Sequence, residues 1–399
     1  MHCDVCIVGA GFTGLSAALA LAEAGLDVVV LDAHRVGWGA SGRNGGQLGS
    51  GQRLEQGELE VRYGVDQARA LWDLAQRSKT LVREIVDRFA IDCDYQSGVI
   101  HTDHKIRYSA QTRRYVEKLN CDYGYDQIAF AARETTSEIL GTNAYYSSSI
   151  DSGAGHLHPL KFAMGLASAA ESAGARIFES TEVHTVSEQN PVMVRTQKGT
   201  VKASSLIYAC NGYLGELQSE VAEHVMPINN FIIATEILPS HLADNIIRNN
   251  MAVADSRFVV NYFRKSSDNR LLFGGRESYG YRFPEDIKSF VQKAMVNIYP
   301  QLADTRIEYG WGGTLAITLN RMPYVRSLGS NIYSASGYSG HGVGMATLSG
   351  KLLADAICGE RDSFDVMKRL KHRRFPGGVK LRSPLLNLAM LYYSMRDLF

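Results

Sequence analysis

Val5 to Leu31 is a largely apolar run whose pattern changes twice. Val5 to Val8 is a short apolar block that reads as a buried strand. Thr13 to Ala24 is rich in Ala and Leu and stops at Gly25, as a helix with a C-terminal glycine does. Val28 to Leu31 reads as a second buried strand. A run of this length invites comparison with a membrane span of about 20 residues. Glu23, Asp27 and the four glycines within it favour strand, helix, strand instead, a βαβ unit with a right-handed crossover. No secretory leader is expected, since the run lacks a basic segment ahead of it.

Further along, the spacing of Ala68, Leu71, Leu74, Ala75, Leu81, Ile85 and Phe89 predicts an amphipathic helix from Val65 to Phe89. A strand is expected at Gly98 to Thr102 and a helix from about Ser109 to Leu119. A second helix-then-strand unit enters through Pro159, runs from Leu160 to Ala173, and passes Gly174 into Ala175 to Phe178. Strands follow at Val192 to Thr196, Val201 to Lys202 and Ser205 to Ala209. Between Ile228 and Gly313 the pattern is β-rich, at Phe231 to Glu236, Phe258 to Arg264 and Leu271 to Gly274, broken by a polar helix near Pro284 to Ile298. The chain then returns to a strand (Ile332 to Ala335), a glycine turn and a helix (Met345 to Ile357).

Composition narrows the function. A length of 399 residues suggests two or three domains. Lys+Arg 42 against Asp+Glu 41 gives a net charge of +1, which argues against a nucleic-acid partner. A hydrophobic share of 45% and a charged share of 21% fit a globular chain. Six cysteines in this length make no disulfide framework, so a cytoplasmic setting is expected. Glycine, at 38 residues, is in excess of the usual ~7%.

Part of that excess is Gly9-Ala10-Gly11-Phe12-Thr13-Gly14, a G-x-G-x-x-G placed between a strand and a helix as a dinucleotide site requires. Gly9 permits the tight turn, Gly11 leaves room for a pyrophosphate over the helix start, and Gly14 allows close helix-to-strand packing. Asp32, ending the second strand, is placed to accept hydrogen bonds from an adenosine ribose. There is no second such motif for NAD(P)H, so electrons are expected from an organic substrate. No metal site is expected, because the histidines are scattered.

Val5 to Asp32, followed by Ser41-Gly42-Arg43-Asn44-Gly45-Gly46-Gln47, resembles the D-amino-acid oxidase, glycine oxidase and sarcosine oxidase superfamily of FAD enzymes, nearest to its gamma-glutamylputrescine oxidoreductases. The likeness extends to Gly155 to Pro159, Thr181 to Val183, Tyr208 to Gly212, Trp311 to Gly313, Gly337 to Gly342 and Phe375 to Gly378. It implies an α/β fold: a Rossmann-like FAD-binding domain of residues 1–95, 151–215 and 321–365, a β-rich substrate domain (mixed sheet plus helices) of 96–150 and 216–320, and a C-terminal extension of 366–399.

The resemblance also implies FAD contacts at Gly9, Gly11, Phe12, Thr13, Gly14, Asp32 and Ala33, at Ser41 through Gln47, at Val183 and Gly212, and at Gly340, His341, Gly342 and Val343. The turn Gly337 to Gly344 opens a helix whose N-terminal amides suit the negative charge of reduced flavin. FAD is expected to be non-covalent, since Leu315-Ala316-Ile317-Thr318 holds no cysteine. Cys3 and Cys6 form C-x-x-C on the first strand, where packing is the expected role.

The implied reaction is oxidation of an amine C–N bond by hydride transfer to flavin N5. The imine is hydrolysed to an aldehyde, oxygen is reduced to peroxide, and a gamma-glutamylputrescine-like substrate is favoured. His341, Tyr262 and Trp311 are the candidate catalytic and wall residues. His156 and His158 have a competing role in capping or packing. Gly312 stands where the superfamily's amino-acid oxidases carry a carboxylate-binding arginine, which favours an amine; Arg264, Arg276 and Arg321 are alternative clamps. Two further readings stand beside this one. The first is a membrane-associated amine or amino-acid dehydrogenase using a quinone or protein acceptor, its tail basic at Lys368, Arg369, Lys371, Arg373 and Arg374 and apolar from Leu385 to Tyr393. The second is a non-catalytic flavin-binding protein.

Overall fold

The computed structural model describes residues 1–279 and 283–378, and in them the strands fall into two sheets. The first contains the expected βαβ unit: His2–Val8, the helix Phe12–Glu23, and Val28–Leu31. Its strand order is Tyr324–Ser327, Ile332–Ser336, Gly199–Tyr208, His2–Val8, Val28–Leu31, Arg176–Phe178, and all but the first of these strands pair in parallel. Strands this apolar belong in a parallel sheet covered on both faces. His2–Val8 sits between neighbours reached in opposite directions along the sheet, the kind of switch point at which open α/β sheets bind ligands.

The first helix is apolar nearly all round because it is enclosed. It packs against Pro159–Ser172 and Gly342–Ile357, and Phe12 through Leu19 are buried. That packing accounts for the apolar character of the segment. Among the described residues, no helix is long and apolar enough to cross a bilayer.

The second sheet is mostly antiparallel and runs Ile307–Ile317, Met226–Thr235, Leu271–Tyr279, Tyr262–Lys265, Ala252–Asp255, Gln96–Asp103, Ser147–His156, Gln47–Leu48. Phe231, Ile233, Phe263 and Phe273 point from it into a separate core beneath the helix Ile287–Ile298. The strand Ser147–His156 crosses the boundary expected at 150/151 and belongs to this sheet throughout.

Two expectations need correction. Val201–Lys202 and Ser205–Ala209 are one strand, Gly199–Tyr208. The strand expected over Phe258 to Arg264 begins only at Tyr262. Asp255 is the reason: its Oδ1 accepts the Arg257 and Asn261 amides at 3.2 and 3.0 Å, and its Oδ2 accepts the Asn261 side-chain amide at 3.0 Å. This local staple offers the backbone a turn in place of a ladder.

The basic stretch beyond the last helix lies on the body. Arg326 donates to the Lys368 and Leu370 carbonyls, Lys368 Nζ donates to Ser327 Oγ at 3.0 Å, and Arg374 pairs with Glu223 at 3.2 Å. The apolar stretch Leu385 to Tyr393 lies outside the described residues.

Candidate active site

Residues of both sheets line a cleft of about 1170 Å³. Its floor is the first glycine turn. Gly9 has φ +111° and a side chain there would lie 2.8 Å from the Ala209 carbonyl oxygen, so only glycine fits. A Cβ at Gly14 would be driven into the Gly9 carbonyl oxygen. Asp32 braces the turn: Oδ2 accepts the Ala10 amide at 2.7 Å and Oδ1 the His34 amide at 2.8 Å.

Hydrogen bonds bring the remote motifs to this floor. Ser41 Oγ accepts the Phe12 amide at 3.0 Å. Tyr338 and Thr13 share a hydroxyl hydrogen bond of 2.6 Å. Asn211 Oδ1 accepts the Gly337 amide at 3.0 Å, and the Ser339 amide donates to the Ala316 carbonyl at 3.2 Å. Residues hundreds of positions apart thus line one cavity.

Of the residues implicated by sequence, Gly9, Gly11, Phe12 and Thr13 line the cleft, with Asp32, Ala33 and Val183 beside them. Ser41, Asn44, Gly45 and Gln47 line it from the second glycine run, and Gly340, His341, Gly342 and Val343 from the late turn. Gly14, Gly42, Arg43, Gly46 and Gly212 do not line it. Gly14 and Gly42 are small because other backbone presses on them; Gly46 meets the Leu157 carbonyl, and a Cβ at Gly212 would lie 2.8 Å from the Leu315 oxygen.

Arg43 turns away from the cleft to donate to the Gly312 carbonyl at 3.2 Å, its guanidinium lying 4.6 Å from the Trp38 ring centre. Trp311 is a wall of the cleft in the sequence reading and not in the structure. Its indole N–H donates to the Arg43 carbonyl at 3.1 Å, tying the substrate-side sheet to the second glycine run.

Tyr262 does line the cleft. Its ring is held between two glycines, with a Cβ at Gly45 lying 2.8 Å from it and one at Gly274 in collision with it, and its hydroxyl donates to Asn230 Oδ1. Burial, then the Glu277 charge, pushes its phenol well above the ordinary value, so it stays protonated. His341 is pushed down to about 3 by burial and by the charges of Arg53 and His101, and is neutral at physiological pH. Its Nδ1 is buried without a hydrogen-bond partner among the described residues.

The other histidines resolve as structural groups: His158 Nδ1 caps the helix Pro159–Ser172 by accepting the Lys161 amide at 3.3 Å, and His156 bonds the Asn250 carbonyl at 2.8 Å. Among the three alternative clamps, Arg321 lines the cleft; Arg264 donates to the Gly45 carbonyl at 2.8 Å, and Arg276 lies 5.6 Å from the Phe290 ring centre. Cys6 is in the core and Cys3 shares its strand, where burial raises the Cys3 thiol to about 11.

Sequence reasoning missed Arg53, His101, Asn230 and Glu277, all of which line the cleft. Arg53 closes the glycine-rich run that begins at Gly45, a signal available in the sequence. Glu277 was not legible. Alternation along Leu271–Tyr279 puts it on the same face as Phe273, toward the core, but Arg276 is an extra residue at φ +65°, so Phe231 pairs with Gly275 and Asn230 with Glu277. The bulge swings Glu277 into the cleft.

A parallel sheet, a glycine turn at a helix start, a bracing Asp32 and a cleft larger than the usual 300–1,000 Å³ ligand pocket suit a dinucleotide together with a substrate. The model of the family DAO: FAD dependent oxidoreductase matches residues 4–356, and the chain belongs to that family. It is an FAD-dependent oxidoreductase. It is 43% identical over 397 residues to "Probable oxidoreductase OrdL" of Rhizobium meliloti (strain 1021), covering 99% of this chain and 92% of that one. It is 40% identical over 399 residues to the gamma-glutamylputrescine oxidoreductase of Escherichia coli (strain K12), covering 99% and 93%. Glycine oxidase from Geobacillus kaustophilus has the same fold, with a TM-score of 0.78 at 22% identity over 92% of this chain and 97% of that one.

Proposed function

We propose that the protein oxidises the C–N bond of an amine of the gamma-glutamylputrescine type to an imine, which water converts to an aldehyde. The observation that carries this reading is the wall of the cleft formed by Leu315, Ala316 and Ile317 with Tyr262 and His341. It is apolar or neutral, and Gly312 stands where the family resemblance implies the arginine of an amino-acid oxidase. Such a wall suits an amine carbon that bears no carboxylate. The 40% identity to a gamma-glutamylputrescine oxidoreductase supports the same substrate type.

Bound FAD supplies the two-electron acceptor at which the substrate hydride is taken up and from which oxygen or another acceptor is later reduced. The chain holds and positions. The first glycine turn and Asp32 suit the dinucleotide, and the late turn presents a helix start to the cleft. Tyr262 is fixed by Asn230 as a protonated wall, and neutral His341 places no positive charge against an incoming amine. FAD binding is non-covalent in this reading. Cys210, the cysteine that lines the cleft, bonds the Val8 carbonyl at 3.3 Å and is raised to about 12 by burial.

The test is turnover of gamma-glutamylputrescine in air by the purified holoprotein. An aldehyde with an equal amount of peroxide supports the oxidase form of the reading. Aldehyde formed only with an artificial electron acceptor assigns a different acceptor, and no aldehyde under either condition rejects the reading.

A further inference from the structure

Three arginines line the cleft; Arg257 is paired with Asp255, which leaves Arg53, just after the second glycine run, and Arg321, from the turn between Ile307–Ile317 and Tyr324–Ser327. Neither side chain has an ion pair or hydrogen bond among the described residues. Their neighbours are different. Arg43 is spent on backbone carbonyls, Arg264 on the Gly45 carbonyl, Arg257 on Asp255 and Arg270 on Asp268 and Glu308.

The fold holds the two cations together against their repulsion. Arg53 is hemmed in by protein even though it opens to the cleft, and burial with the Arg321 charge pushes its guanidinium below the ordinary value. Arg321 sits at φ +62°, a conformation unfavourable for a residue with a side chain. Its turn is maintained by Thr318 Oγ1, which donates to the Met322 carbonyl at 2.7 Å, and by Asn320, whose side chain donates to the Lys371 carbonyl at 2.9 Å. Two unpaired guanidinium groups in a partly desolvated cleft form a site for an oxyanion, with a donor geometry matched to carboxylate. Glu277, in the same cleft, and Glu58 act on Arg53 in the opposite sense and offset part of its positive charge, which leaves the pair suited to one carboxylate rather than to two.

We propose that Arg53 and Arg321 together seat a single carboxylate carried by the substrate at the end remote from the oxidised amine. This rests on the amine-oxidation reading and adds to it the residues that select the acid end.

The experiment uses three amides of putrescine, with gamma-glutamyl, glutaryl or butyryl acyl groups. The last has no carboxylate, and the first two differ only in the α-amino group. In the wild-type holoenzyme, kcat/KM for the glutaryl amide is expected to exceed that for the butyryl amide by on the order of 100-fold, mostly through KM. Arg53→Ala and Arg321→Ala are each expected to shrink that ratio by about 10-fold or more, with Arg321→Lys intermediate. A second measurement needs no turnover: the monobutylamide of glutaric acid, which lacks the reacting amine, is titrated against the bound-flavin absorbance. Its Kd is expected to rise by about 10-fold or more in either alanine variant. If none of the three amides reduces the flavin, the amine-oxidation reading fails while this titration still decides the arginines. Variants with normal flavin content, an unchanged substrate ratio and an unchanged Kd would overturn the proposal.

Discussion

Asp32 Oδ2 accepts the backbone amide of Ala10 at 2.7 Å, locking the end of the second strand to the dinucleotide turn. The same carboxylate lines the cleft and takes the His34 amide on its other oxygen. A residue read from sequence as a ribose acceptor is therefore also a brace. Asp32→Ala removes both bonds and is expected to cost about 2–3 kcal/mol, charge-assisted bonds being stronger than neutral ones. Asp32→Asn, which keeps one acceptor oxygen, should fall between. Denaturant unfolding and the flavin-to-protein absorbance ratio check both effects.

Gly14 and Gly25 separate two reasons for glycine at the ends of one helix. Gly14→Ala collides with the Gly9 carbonyl and forces the turn open, an overpacking expected to cost about 1–3 kcal/mol and most of the bound FAD. Gly25 has φ +84° with open space around it, so Gly25→Ala is expected to cost only about 1–2 kcal/mol and leave flavin content intact. Equal flavin loss in the two variants would contradict the steric account.

His156 links stability to acid. Burial pushes its imidazole down to about 4 from an ordinary value of 6.5. As pH falls below that ordinary value the unfolded chain takes up a proton that the folded one refuses, so stability falls with pH down to about 4 and then levels. The slope from this group approaches about 1.4 kcal/mol per pH unit. His156→Gln should flatten the pH dependence of unfolding free energy between pH 6 and 4.5 by up to that amount, whatever its effect at neutral pH.

Trp311 and Tyr262 should part company under mutation. Trp311→Phe keeps the ring but releases the Arg43 carbonyl, and is expected to cost about 1 kcal/mol and weaken flavin retention. Tyr262→Phe leaves Asn230 Oδ1 without its donor at the cleft wall, and is expected to lower kcat/KM by about 10-fold with flavin content preserved. A flavin titration alongside steady-state kinetics distinguishes them.

What was legible in the sequence was local. The βαβ unit and its glycine turn follow from periodicity and from where Cβ atoms cannot fit; the helix and second strand appear within a residue of their expected limits, while the first strand starts at His2, three residues before Val5. Interactions that depend on strand pairing were not legible. Trp311 lies 268 positions along the chain from the Arg43 carbonyl it holds, and nothing in the order of residues records that contact. Glu277 depends on a one-residue bulge that inverts its face, and Asp255 converts an aromatic alternation into a turn. In both, a short-range hydrogen bond or an inserted residue overrides period-two patterning.

Anaerobic titration of the purified holoprotein with gamma-glutamylputrescine tests the central claim most directly. The account predicts loss of the oxidised-flavin absorbance at an end point of one substrate per flavin, with an equivalent of aldehyde formed. A flavin that stays oxidised through excess of this and every other amine, while chemical reductants still bleach it, would contradict the claim that the cleft is an amine-oxidising site.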